Sequence, residues 1–250
     1  MRWILGLAIA AITALAWLDL FHLSRQMSAA AADETMMAAM GMAMNAPWTR
    51  TDLLLTFVMW TVMMVGMMAP SVAPVLLLAS KAPRDSRRSS LSVAVSFGAG
   101  YLLVWTAFSA IATLAQWALH EGALLSPAMA ASSPRVAGAI LIGAGLYQLT
   151  PLKQLCLTHC RSPISFLMAH WRGGRTGPIR MGVHHGLHCL GCCWALMAVL
   201  FAVGVMNLAW VAGLALLVLV EKVAPGAERI SRLAGVAFVL LGIVKLVSNG

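Results

Sequence analysis

Long apolar runs alternate with short cationic links along this chain, and that pattern restricts its fold more than any other feature. Trp3 to Leu23, Leu53 to Ser80, Val93 to Leu119, Val136 to Leu149, Gly182 to Gly204, Leu208 to Val220 and Ile230 to Val247 read as seven apolar segments. A helix needs roughly 20 such residues to cross a hydrocarbon core of about 30 Å, and most of the segments approach that length. Only helices and closed barrels satisfy every backbone group inside lipid, and runs this uniformly apolar lack the alternation of a barrel strand. With 61% hydrophobic residues, 10% charged residues and a mean hydropathy of +0.86, the chain lies outside the range of soluble domains. The expected fold class is all-α, a polytopic transmembrane helix bundle of about seven spans, or six if the first is cleaved. Cleavage is disfavoured: Asp19 and His22 stand between the first apolar core and the small residues Ala29 to Ala32, too long and too polar a segment for a signal peptide. Residues 1–23 therefore read as a first span or uncleaved anchor, 24–51 as a Met-rich periplasmic link, and 52–250 as a helical metal-binding domain.

A net charge of +9 and a pI near 10.1 would suit a nucleic-acid partner if the cations formed one surface. They do not; the partner they fit is a lipid bilayer. Successive links hold two cations (Arg25, Arg50), four (Lys81, Arg84, Arg87, Arg88), one (Arg135), five (Lys153, Arg161, Arg172, Arg175, Arg180), none, and two (Lys222, Arg229). Cytoplasmic loops carry the excess of Lys and Arg, so the alternation places the N-terminus in the cytoplasm of a bacterial inner membrane and the C-terminus outside.

This orientation gathers the chemistry. His184 to Trp194 holds three of the five cysteines and three of the seven histidines. On a helix, His185, His188, Cys189 and Cys192 fall within about 100° of one another, with Cys193 at the edge and His184 pointing away. Cys189 and Cys192 have the Cys-x-x-Cys spacing of many metal and redox sites. Cys156 and Cys160 share a helical face, with His159 between them. All five cysteines fall at or near the cytoplasmic boundary, where a reducing compartment keeps thiols free. Cysteine is also a common filler of packed interiors, but packing gives no reason to cluster it with histidine.

The second segment adds thioethers: Met63 and Met67, with Met59 a turn above, form one stripe, and Met64 with Met68 a second. Methionine fills irregular gaps well, yet thioether and thiolate together favour Cu(I) over hard cations. Met36, Met40 and Met44 in the first link would make a loose outer collector. Pro70 and Pro74 should disturb the second segment and free carbonyls that must find partners inside the protein. Glu221 ends the sixth segment beside Lys222 and reads either as a ligand near the cysteines or as a marker of the water interface. The metal expected is copper, with zinc as the alternative; four thiolates would suit zinc, and fewer thiolates with thioethers would suit copper. The chain has no phosphate-binding Gly-x-x-x-x-Gly-Lys loop and no Gly-x-Ser-x-Gly nucleophile elbow, and its scarcity of mid-segment carboxylates speaks against a carboxylate-driven proton pump.

Taken together, WTVMMVGMMAPS (Trp60 to Ser71), YQLTPLKQLCLTHCRSP (Tyr147 to Pro163), GLHCLGCCWALM (Gly186 to Met197), GVMNLAW (Gly204 to Trp210) and Glu221-Lys222 resemble the bacterial family of predicted metal-binding integral membrane proteins of unknown function. The resemblance runs from about residue 53 onward. It implies an inner-membrane helical protein that binds a metal, points to Cys156, Cys160, Cys189, Cys192 and Cys193, and adds Met63, Met67, Met68, Asn207 and Glu221 without assigned roles. The expected function is metal handling: Cys189 and Cys192 as primary ligands, Cys156 and Cys160 closing the site, His159, His185 and His188 in support, Met63 and Met67 as weak relay ligands, and a metal-donor or acceptor protein as partner. The alternative is a metal-dependent membrane oxidoreductase, or a subunit of one.

Overall fold

A computed structural model describes residues 2–40, 48–80, 89–122, 124–126, 129–171, 174 and 176–247. The basic link at Lys81, Arg84, Arg87 and Arg88, the methionines Met42 and Met44, and Arg172, Gly173 and Arg175 lie outside the described residues. Among the described residues the regular structure is all helix apart from one isolated bridge between Leu125 and Ala131. The helices are α1 (Arg2–Ala39), α2 (Arg50–Ala79), α3 (Ser90–Glu121), α4 (Pro134–Leu149), α5 (Pro151–Arg161), α6 (Pro163–His170), α7 (Gly177–Val203), α8 (Leu208–Val223) and α9 (Ala227–Val247).

The expected helix bundle is present, with fewer full-length spans than seven. Five helices (Trp3–Ala30 within α1, then α2, α3, α7 and α9) are long and apolar enough to cross a membrane, and α4 with α5 would make a sixth as a pair bent by 64°. The shortfall is α8, whose 16 residues fall below a spanning length. Residues 24–39, expected as link, continue α1. The link that holds Lys153, Arg161 and Arg180 is mostly helical as well. Its prolines sit in the first turns of α5, α6 and α7, where the missing N–H costs nothing and the fixed φ favours a helical start. Because α7 starts at Gly177, Cys189 lies near its middle, about 18 Å along the axis from the first residue at 1.5 Å per residue, and not at its opening turn.

Pro70 and Pro74 leave α2 unbroken. Pro70 has no N–H for the carbonyl four residues earlier, and that carbonyl, Gly66 O, accepts instead from the indole Nε1 of Trp17 in α1 at 3.3 Å. At the other end of α2, Thr49 and Asp52 form a reciprocal capping box.

Glycines set the two closest crossings. A Cβ on Gly182 of α7 would stand 2.0 Å from Phe97 O of α3, and one on Gly100 of α3 would stand 2.2 Å from Ile179 O of α7. In the α4 and α9 pair, Gly138 meets Gly242 and Gly145 meets Gly235 in the same way. Small residues that let backbones touch are the usual means of helix association in lipid, where apolar burial drives little. One end of the bundle is tied by Val205 N to Met129 O (3.4 Å), Ala131 N to Phe201 O (2.8 Å) and Ser24 Oγ to Met206 O (3.2 Å). Helix α5 packs beside α7, and α6 packs on α5 and α2, with the rings of Phe166 and His170 against that of His184 on α7.

Gly182→Ala should lower the melting temperature of detergent-solubilised protein by several degrees, the scale of an overpacking cost of about 1–3 kcal/mol. Gly143→Ala, whose Cβ would meet nothing within 4 Å, should leave it unchanged.

Candidate functional site

The middle of α7 turns Cys189, Cys192 and Cys193 into the core, all of them buried. From α5 comes the buried Cys160, in the same buried core as Cys189, Cys192 and Cys193 and close to Cys189 and Cys192. Cys192 and Cys193 Sγ donate to the carbonyl of Cys189, at 3.1 and 2.8 Å. Cys156, half-buried, packs on the same turn of α7: a Cβ on Gly191 would stand 2.9 Å from its Sγ. All five cysteines are free. The sequence-predicted thiols are thus gathered where α5 packs on the middle of α7. Among the described residues no three His, Cys, Asp or Glu side chains surround a point that would hold a metal ion in this arrangement.

The hub of the cluster is Cys189. Its sulfur accepts a hydrogen bond from Nζ of the buried Lys222 of α8 at 2.9 Å and lies 3.0 Å from the hydroxyl of Tyr101 of α3. Lys222 Nζ also donates to Ser71 Oγ of α2 at 3.0 Å, and Ser71 donates to Met68 O at 2.8 Å. Four helices therefore contribute polar atoms around one sulfur. An ammonium taken out of water is costly unless it is hydrogen-bonded and electrostatically matched, and a soft, polarisable sulfur is among the few groups available to it here.

Glu221, a candidate ligand from the sequence, is turned elsewhere. Both of its carboxylate oxygens lie 2.7 Å from Nζ of Lys153 in α5, and Gln148 Nε2 of α4 donates to Oε1 at 3.0 Å. Lys153 also donates to Gln148 Oε1. Lys153, Gln148 and Glu221 are all at most 2% exposed.

The histidines divide. His185 is buried, its ring near those of Phe97, Tyr101 and Phe166, and its Nδ1 has no hydrogen-bond partner among the described residues. His188 faces outward from the cluster, with its ring 4.5 Å from that of the exposed His159. Met63, Met64, Met67 and Met68 are at most 2% exposed and belong to the same buried core as the thiols.

The sequence signature of the PpoB2 family, described as a copper chaperone, matches residues 57–245. The chain belongs to this family. The matched region takes in every cysteine, the α2 methionines, Lys153, Glu221 and Lys222, and it agrees with the metal-related family that the motifs resemble. No curated protein and no solved structure matches the chain.

For a copper-chaperone family member, the donor set is chemically apt: thiols and thioethers are the soft ligands that select Cu(I). Sequence reasoning missed Lys222, Lys153, Tyr101, Ser71 and Gln148. Lys153 and Lys222 were counted as loop cations. The usable signal was Glu-Lys at the end of an apolar run, close to the length at which a carboxylate and an amine still sit inside the bundle. Removing one partner of a buried pair leaves an uncompensated charge. Lys153→Met should therefore destabilise the protein by about 3–5 kcal/mol, with most of the loss recovered in Lys153→Met/Glu221→Met, as thermal unfolding in detergent will register.

Proposed function

We propose that the chain is a multi-pass protein of the bacterial inner membrane that carries Cu(I) as cargo on the sulfurs of Cys160, Cys189, Cys192 and Cys193 and passes it to an acceptor protein. The observation that carries this reading is the convergence of four buried thiols from two helices beside the α2 methionines in a chain of the copper-chaperone family. Cys156, at the half-buried margin of the cluster, and the His159 and His188 pair beside it are the groups through which cargo would leave toward the acceptor. Met63 and Met67 supply weak thioether contacts. Glu221 serves the site by neutralising Lys153, which keeps α5 and its Cys160 against α7.

Lys222 bears on which metal is held. A divalent ion brings twice the charge of Cu(I) into a pocket that already contains an ammonium, so the like-charge repulsion is doubled where screening is weakest. Zinc also asks for four ligands in a closed tetrahedron, whereas Cu(I) is content with fewer and softer donors. Thiols that exchange one at a time suit a carrier, since each departing ligand is replaced before the next leaves.

The cytoplasmic N-terminus is supported by the cation alternation; Ser24, Met129 and Met206 share one end of the bundle, as links on one side would. Protein purified in mild detergent from copper-supplemented cells should retain copper, and Cys189→Ser/Cys192→Ser should retain at least tenfold less, a loss on the scale of about 10–100-fold seen when metal-site groups are altered. Equal copper in the two proteins, or zinc in place of copper in the parent, would overturn the reading.

A further inference from the structure

We propose a second Cu(I) site, built from the thioethers of Met27, Met59 and Met129, at the end of the bundle where α1, α2 and the connection from α3 to α4 meet. It rests on the copper-carrier reading above and adds the place where cargo is received. A cavity of about 260 Å³ lies there, lined by Met27 of α1, Met59 of α2 and Met129 of the 122–133 connection, together with Trp48, Asp52 and Thr56. Met27, Met129 and Asp52 are half-buried and Met59 is buried, so the cavity opens at the surface and reaches inward. Three segments far apart in sequence each place a methionine on one space, which gap-filling does not require.

The donors suit this end of the molecule. Thioethers carry no proton to lose and select soft monovalent metal. None of the five cysteines lies in or beside this cavity, so the ligands here withstand an oxidising compartment better than thiols would. Asp52 adds a negative charge to the wall, and its carboxylate is held by Thr49. Met129 is also held: its sulfur accepts from Gln116 Nε2 at 2.9 Å, and Gln116 Oε1 accepts from Trp60 Nε1 at 2.6 Å. Met129 has a positive φ of 53°, the only such non-glycine residue among those described, and the backbone bond from Val205 N to its carbonyl fixes that turn. A non-glycine residue in the left-handed region is uncommon, and here the turn carries a thioether on the cavity wall.

From this cavity a column of sulfur leads inward. Met59, Met63 and Met67 recur every four residues on α2, each step rising about 6 Å. The column ends at Met67, next to Met68 of the second stripe; the backbone carbonyl of Met68 accepts from Ser71, and Ser71 in turn accepts from the Lys222 ammonium that also holds Cys189. Met59 and Met68 are about 14 Å apart along the helix axis. The Met27, Met59 and Met129 site is thus the receiving end of a thioether track to the thiols.

The test loads full-length protein in detergent with Cu(I) kept reduced by ascorbate and titrates it against a colorimetric Cu(I) chelator. Two backgrounds are compared, the parent and Cys189→Ser/Cys192→Ser, each with and without Met27→Leu/Met59→Leu/Met129→Leu. Leucine conserves the volume, and melting temperatures check that the fold is intact. In the thiol-substituted background, the methionine substitutions should weaken Cu(I) binding by roughly tenfold or more. In the parent they should abolish an easily chelated fraction and leave the tight fraction in place. Unchanged binding after the three methionine substitutions in both backgrounds overturns the second site and leaves the thiol site standing. Unchanged tight binding after the two serine substitutions overturns the thiol site instead. If the triple variant melts well below the parent, Met27→Leu alone, at a half-buried position, must still remove part of the easily chelated fraction for the proposal to hold.

Discussion

The last turn of α8 buries two opposite charges side by side and sends them in opposite directions. Glu221 is met by Lys153 of α5 and Gln148 of α4, while Lys222 is met by Ser71 of α2 and Cys189 of α7. One turn of a 16-residue helix therefore fixes the positions of four others. The two contacts depend on one another: without Glu221, Lys153 would be a second uncompensated ammonium in the same interior, and burying even one is costly. Lys153 thereby ties α5, which carries Cys160, to α8 and α4 inside the bundle.

Glycine contacts supply the complementary condition. Phe97 O would lie 2.0 Å from a Cβ on Gly182, so α3 and α7 touch along their backbones, and Tyr101 on α3 arrives 3.0 Å from Cys189. Gly145 and Gly235 do the same for α4 and α9, holding Gln148 where it bridges Lys153 and Glu221; Ser231 Oγ donates to the Gln148 carbonyl at 3.4 Å. Close backbone contacts and buried hydrogen bonds, the means by which helices associate in lipid, both converge here on the thiols. The α2 methionines occupy the remaining space with side chains that adapt to irregular gaps and that also bind soft metal.

Much of this was readable in the sequence, and the failures have identifiable physical causes. Apolar run length located α2, α3, α7 and α9, since 18 or more apolar residues have few alternatives. The Cys-x-x-Cys pair and the Cys156 and Cys160 pair were visible as spacing, and both lie on helices that bring them together. Spacing could not show that Pro151, Pro163 and Pro178 start helices, because a proline reads as a breaker until the helix on its C-terminal side is seen. Nor could it show that Lys153 and Lys222 are buried: burial of a cation depends on partners distant in sequence, Glu221 in one case and Ser71 with Cys189 in the other. Tyr101 carries no motif of its own and Ser71 only closes the run from Trp60; both become meaningful once Cys189 and Lys222 stand beside them. Glu221 read in the sequence as a ligand near the cysteines or a marker of the water interface; in the structure its partner is Lys153.

The central claim is that the cargo is held by sulfur at the middle of the bundle. X-ray absorption at the copper edge, on detergent-solubilised protein carrying a single equivalent of Cu(I), addresses it directly. The spectrum should show a shell of sulfur neighbours alone, of low coordination number, with no imidazole scattering. A shell dominated by nitrogen or oxygen would contradict the claim and move the metal to the histidines outside the cluster.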